Sequence, residues 1–266
     1  RSENNEINVK SLLKKRGEFN FSKIKKISSL LNFNIDNIKN IEGKTDLKIN
    51  VNFKLNKNYR IKNLVYSVEG EIPYSEIHFK EKKNIKKYLP NYKDTITLKD
   101  SKINLIKNKS SNTIELNGFM KMNNEFDSYN LKQIYDSNKK SFNVAGKANL
   151  TSSQINISKL NYIKDSGKES EIEFNFNFIP KKYMNIAKFI YQSDNTIIDI
   201  KNLKLNKNFE TEDFNKLKIK TFNNGSKNND FLVKKTNKVE ISGNIFDAEP
   251  LLKSLFKKDD RKTFSK

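Results

Sequence analysis

Thr45–Leu55, TDLKINVNFKL, decides how the rest of the chain is read. Leu47, Ile49, Val51, Phe53 and Leu55 alternate with Lys48, Asn50, Asn52 and Lys54. A strand points successive side chains to opposite faces, so this segment has one apolar face and one wet face. A helix would spread the same residues around its whole circumference, so the spacing predicts a strand. The pattern returns at Leu64, Tyr66 and Val68, at Ile114 and Leu116, and at Phe142 and Val144. It is longest at Ile172, Phe174, Phe176 and Phe178, and recurs at Val239 and Ile241. The chain therefore reads as a series of one-sided strands, and its function turns on what their shared apolar face is for.

Bulk composition narrows the classes. The 266 residues suffice for a sizeable core, yet only 35% are hydrophobic and the mean hydropathy is −0.80. A core is possible only if nearly every apolar residue sits on one face of its element. The formal net charge is +21. A polyanion partner, nucleic acid or an anionic membrane surface, is one reading of that charge. The other is codon bias, because Lys, Asn and Ile dominate and all three have AT-rich codons. Uncharged Asn is not explained by nucleic-acid binding, so we ascribe most of the excess to composition and expect no nucleic-acid partner. The absence of cysteine excludes disulfides, thiolate nucleophiles and sulfur-based zinc sites. No apolar run approaches the ~20 residues that span a bilayer. The chain starts at Arg1 with no signal peptide in view, so it is expected to be an interior segment of a longer protein.

Along the chain, residues 1–44 read as a helical and connector segment. Val9, Leu12 and Leu13 suggest a helical turn; Ile24, Ile27, Leu30 and Leu31 suggest a helix with Ser22 as N-cap, which Ile35, Ile38 and Ile41 could extend. That helix either caps the sheet or lies on a surface as a basic amphipathic element. Residues 45–245 read as antiparallel strands, beginning with a hairpin over 45–72 turned at Asn56–Asn58. Pro73 is expected to end its second strand, with a further short strand at Ile77 and Phe79 and a charged loop at Glu81–Tyr92. Breaks are expected at Lys99–Ser101 and Asn108–Asn112, and a loop at Asn223–Asn229. Residues 123–138 fit a strand or a helical turn. Met184, Ala187, Ile190 and Tyr191 predict a short amphipathic helix over 182–192. Residues 246–258 read as a C-terminal amphipathic helix capped by Asp247, with a tail at 259–266.

Reactive chemistry is missing from this pattern. His78 is the one histidine, and general-base catalysis needs a second positioned group. The eight glycines are scattered, which excludes phosphate-cradling loops and a nucleophile elbow. Glu69 with Glu71, and Glu169 with Glu171, read as solvated strand faces, and Asp194, Asp199 and Glu212 lack metal-loop spacing. No catalytic residue, metal or cofactor is expected. Aromatics interleave with lysines at Phe174–Lys182 and Lys216–Phe222, as in single-strand nucleic-acid binders, but they share faces with Ile, Leu and Val.

Two segments carry a resemblance. Gly146–Glu173 matches a pattern A-x-L-x-x-x-x-I-x-I-x-x-L-x-Y-x-K-x-x-G at Ala148, Leu150, Ile155, Ile157, Leu160, Tyr162, Lys164 and Gly167. Val239–Leu252 matches a strand, a glycine and then D-A-x-P-L-L at Gly243, Asp247, Ala248, Pro250, Leu251 and Leu252. On these residues the chain resembles the AsmA-like family, in its YhdP-type branch. The resemblance implies an envelope protein of Gram-negative bacteria, anchored in the inner membrane by a helix and lying mainly in the periplasm. It implies a long, twisted, taco-shaped β groove with an apolar lining, implicated in moving phospholipid between inner and outer membranes. The chain lacks the anchor and is short for the full groove, so it would be a middle segment.

The expected fold is thus mainly β: an elongated, twisted antiparallel sheet forming an open groove, with a few short peripheral helices. Its lining is expected to be Leu47, Ile49, Val51, Phe53, Leu64, Tyr66, Val68, Ile172, Phe174, Phe176 and Phe178. The expected function is non-enzymatic, shielding or conducting phospholipid acyl chains, with envelope proteins as possible partners. The alternatives are an envelope scaffold with a closed β core, and a basic nucleic-acid-binding protein.

Overall fold

The structure is a computed structural model and describes residues 6–31, 35–81, 83–223 and 225–259. The chain opens with β1 (Ile7–Asn20), α1 (Phe21–Leu31), β2 (Ile38–Leu55) and β3 (Ile61–Phe79). A short α2 (Lys83–Lys86) leads to β4 (Thr95–Lys107), β5 (Ser111–Lys121), β6 (Asp127–Asp136) and β7 (Ser141–Asn149). A small hairpin of β8 (Ile155–Ile157) and β9 (Tyr162–Lys164), with a 3-10 turn at Ser158–Leu160 between them, interrupts the series. The strands resume as β10 (Glu171–Ile179), β11 (Tyr183–Ser193), β12 (Thr196–Asn206), β13 (Thr211–Asp213), β14 (Lys216–Asn223), β15 (Ser226–Lys235) and β16 (Val239–Ile245). Helix α3 (Glu249–Asp259) follows.

All strands except β8 and β9 form one antiparallel sheet of 14 strands that does not close into a barrel. Thirteen pair in chain order, with only β8, β9 and the side strand β13 stepped over. At ~4.8 Å per strand the path from β1 to β16 is about 58 Å long. Because neighbours alternate in direction, the long connections that hold α1, α2, the β8–β9 hairpin and α3 all lie along one margin of the sheet, together with the tight β11–β12 turn. The other margin carries mostly tight turns.

The apolar side of this sheet is cupped rather than sealed. Along β2 every odd position from Ile41 to Leu55 is half-buried, while the even positions from Glu42 to Asn52 are exposed. Only twelve hydrophobic side chains among the described residues are buried, too few to close a core for this length. The accessible surface is 18,310 Å². A compact monomer of this size exposes about 12,000 Å².

Curling a sheet toward its apolar side crowds that side, and small residues relieve the crowding. Gly118, on β5, faces the fully buried Ser101 of β4; a Cβ there would lie 2.6 Å from Ser101 Cα. Gly146, on β7, lies under the Phe174 ring of β10; a Cβ would lie 2.8 Å from Phe174 Cζ.

Several expectations are corrected. Residues 7–20 are a strand and not a helical turn, because Val9, Ser11 and Leu13 pair with Phe53, Val51 and Ile49 of β2. Helix α1 forms as expected, but Asn20, not Ser22, caps it, its Oδ1 accepting from Lys23 N at 3.2 Å. Ile38 and Ile41 belong to β2 rather than to a helical extension. Pro73 does not end β3; a bulge absorbs it, and the strand runs on through Ile77 and Phe79. Asp100, at φ 46°, likewise bends β4 without breaking it. Residues 127–136, open between strand and helix, are strand β6. The loop expected at 223–229 is shorter, since β15 begins at Ser226. Part of the loop expected at 81–92 is helical, at α2.

The helix expected over 182–192 is strand β11. Met184 and Ile186 face the apolar side, a register shift follows, and Phe189 and Tyr191 face it next. That one-residue bulge converts a period of two into spacings of three, which mimics a helix. The tail at 259–266 lies outside the described residues apart from Asp259, which ends α3.

Gly146→Val is expected to destabilise the protein by about 1–3 kcal/mol through overpacking against Phe174. A lowered midpoint of chemical unfolding, with the slope unchanged, checks it.

Candidate apolar groove

Paired residues on adjacent antiparallel strands lie on the same face, so the register traces each face across the sheet. One row runs Lys15, Leu47, Gly70, Ile103, Leu116, Leu131, Gly146, Phe174, Phe189, Ile200, Leu217, Val233, Ile241. It crosses all thirteen paired strands, and after Lys15 on the edge every member is apolar or glycine. The adjacent row runs Leu13, Ile49, Val68, Leu105, Ile114, Gln133, Val144, Phe176, Ile186, Leu203. Gln133 is its one polar member.

The opposite face is the negative of this one. There the pairing runs Lys14, Lys48, Glu69, Asn104, Glu115, Lys132, Ala145, Asn175, Lys188, Lys201, Lys216, Lys234, Glu240. Cross-strand ion pairs lace it: Lys48–Glu69 at 3.0 Å, Lys132–Glu115 at 2.7 Å and Lys216–Asp199 at 2.6 Å. Such pairs contribute little individually, about 0–1 kcal/mol, but they keep this face wet.

All eleven residues expected to line a groove lie on the apolar face. Leu47, Ile49, Val51 and Phe53 stand on β2, Leu64, Tyr66 and Val68 on β3, and Ile172, Phe174, Phe176 and Phe178 on β10. Ten are half-buried and Tyr66 is 7% exposed. The Tyr66 hydroxyl is buried without a hydrogen-bond partner, and burial pushes its phenol above the usual range. The face is continued by residues that sequence reading left out, among them Leu105 and Leu131 between β3 and β10, and Phe189 beyond β10. The period-two signal is interrupted by bulges in β4 and β11.

Near the tight-turn margin the lining is aromatic. Tyr135, Phe142 and Phe178 stack in sequence, with centroids 4.7 and 5.0 Å apart. Phe176 bridges Phe178 and Phe174 at 6.2 and 5.4 Å.

At the other margin, residues 150–170 fold over the apolar face as a flap. Its Leu150, Ile155 and Tyr162 pack with Tyr191 and Ile198 of the sheet, and Ile172, Phe189 and Ile200 pack around them. This is the one buried apolar cluster among the described residues. Two polar devices hold the flap. Lys164, 1% exposed, donates to the carbonyls of Leu150, Thr151 and Lys168 at 2.9, 3.1 and 2.9 Å. Asp127 at the start of β6 accepts from Ser152 N at 3.1 Å and Ser152 Oγ at 2.6 Å. The Tyr162 and Tyr191 hydroxyls meet at 2.9 Å, and burial drives the Tyr191 phenol far above its ordinary range.

The candidate reactive groups are dispersed on the wet side. His78 Nε2 meets Glu76 Oε1 at 2.9 Å, and its Nδ1 meets Thr95 Oγ1 at 3.1 Å. Glu69 pairs with Lys48, and Glu171 with Lys147 at 2.8 Å. Among the described residues no group of acidic or histidine side chains is arranged to hold a metal ion, and no helix is long and apolar enough to cross a membrane. No protein-family model matches the chain, and no curated protein or solved structure does either.

Lys164→Met is expected to cost about 3 kcal/mol by stranding three buried carbonyls, and to speed amide exchange across 150–170 more than in β2 and β3. Burial depresses the Lys164 pKa below 10.5, so the unfolded chain holds that proton more tightly than the folded one. The group's contribution to stability therefore rises with pH as the folded form deprotonates, up to about 10.5, and is flat below that window. Unfolding titrations of the parent and the variant should diverge there in that direction.

Proposed function

We propose that the apolar strip takes up phospholipid acyl chains and shields or conducts them along the groove between the membranes of a bacterial envelope. The observation that carries this reading is the unbroken apolar row from Leu47 to Ile241, half-open to solvent and backed by a largely polar face. An acyl chain loses about 0.8 kcal/mol of favourable transfer per CH₂ when left in water. A continuous trough removes that penalty along its length and needs no nucleophile, acid or metal. The likeness of Ala148–Gly167 and Gly243–Leu252 to the AsmA-like family supports the same reading and suggests the periplasmic setting. A closed scaffold is disfavoured, because the sheet has two free edges and few sealed side chains. A stacking platform for nucleic acid is disfavoured too, since the row of aromatics lies away from the lysine face.

The test is extraction and mass spectrometry of lipid from the purified chain. Phospholipid should co-purify with the parent protein. Phe176→Glu, in mid-groove and half-exposed, should lose it while keeping the far-ultraviolet strand signal. Equal lipid content in that variant would overturn the proposal.

A further inference from the structure

The two margins of the sheet differ in charge. Along the margin of mostly tight turns, strands are joined at 56–60, 108–110, 137–140, 180–182, 207–210 and 236–238. The sequences there are NKNYR, NKS, SNKK, PKK, KNFE and TNK. These 22 residues hold nine lysines and arginines and one acid, Glu210. At the other margin the connections 21–37, 80–94, 122–126, 150–170, 194–195 and 224–225 hold 12 cations and 7 acids in 62 residues. That is the proportion of the whole chain, 52 to 31. Composition bias acts on both margins alike, so it does not account for the basic one.

All nine of these cations are exposed. Lys238 reaches Glu240 at 3.4 Å; the other eight have no carboxylate within ion-pair distance among the described residues. The wet face differs, since Lys48, Lys132 and Lys216 are each paired there. The basic margin is densest at its middle. Strands β6, β7, β10 and β11 are consecutive in the sheet, so Lys139, Lys140, Lys181 and Lys182 gather within four strands. Asp136, at the base of the first of these turns, is committed to it, accepting from Asn138 N at 2.9 Å and Lys139 N at 3.0 Å.

The apolar face meets this margin in a particular way. One row close to it runs Tyr66, Lys107, Asn112, Tyr135, Phe142, Phe178. Its second half is the aromatic stack, directly beside the four lysines. Its first half is polar. Lys107 is half-buried with no carboxylate in ion-pair reach among the described residues, and the Tyr66 hydroxyl and Asn112 Oδ1 are buried without a hydrogen-bond partner. Buried polar atoms left unpaired are costly, which marks this row as one that meets polar as well as apolar matter. The other margin offers no such edge over β10 to β12, because the flap covers the apolar face there.

We propose that the basic margin is the headgroup side of the groove. A glycerophospholipid lies with its acyl chains along the aromatic row and its phosphate among Lys139, Lys140, Lys181 and Lys182. Lys107 and the Tyr66 hydroxyl supply further donors on the apolar side of the same margin. This assignment rests on the groove reading and adds to it an orientation for the lipid and a preference for net anionic headgroups.

The experiment is lipid uptake by the full chain from vesicles of equal parts phosphatidylglycerol and phosphatidylcholine, with bound lipid quantified by mass spectrometry. The parent should hold phosphatidylglycerol over phosphatidylcholine by about fivefold at low salt, and the preference should shrink as salt rises. Lys139→Glu/Lys182→Glu should bring the ratio back to that of the vesicles while total lipid is kept. Lys93→Glu/Lys159→Glu makes the same change of charge at the other margin and should keep the parent's preference. All four positions are exposed, so the strand signal should be intact in both variants. Inorganic phosphate at matched ionic strength should leave the preference unchanged. The inference is overturned if the first variant keeps the preference, if the second loses it equally, or if inorganic phosphate abolishes it. A parent that takes up lipid at the vesicle ratio overturns this inference alone; a parent that takes up none overturns the groove reading with it.

Discussion

Everything in this molecule depends on register. Antiparallel pairing puts cross-strand partners on one face, so thirteen strands can share an apolar strip only if each keeps its alternation in phase with the next. A slip of one residue anywhere would turn a strand's leucines to the lysine side. The chain keeps phase despite irregularities by matching them. The β3 backbone shifts parity near Pro73, β4 does so at Asp100, and the two strands still pair in unbroken register. Glycines on the cupped face let the strands curl without clashing.

The cost of this design is an apolar surface that the fold does not seal. Most sheets with one greasy face cover it with helices or a second sheet. Here the cover among the described residues is chiefly the flap over 150–170, clamped by Lys164 and Asp127 and joined by Leu89 and Met122, and the rest of the strip remains half-open. An open strip of this size calls for an occupant, and the acyl chains proposed above suit its lack of polar specificity. The exposed leucines of the helix beyond β16 add a second, separate apolar feature.

Much of this could be read from the residues. Leu47–Leu55 and Ile172–Phe178 are long enough alternations to determine strands and to mark which side chains share a face. All eleven lining residues expected on that basis lie together. The amphipathic spacing at Leu251, Leu252 and Leu255 determined α3, and Asp247 its start.

What the residues alone did not determine lay where period two was interrupted. In β11 one bulged residue made Met184–Tyr191 look helical, because spacing reports a period and not the partner strands that impose it. In β1, Leu12 and Leu13 are adjacent, so alternation is lost locally; pairing with β2 makes the segment a strand regardless. Strand order, the continuity of the strip and the placing of the flap were decided by tertiary structure, for they depend on contacts between residues far apart in the chain. Local sequence determined which side of each strand was greasy; only the hydrogen-bond ladder between strands decided that those sides would join.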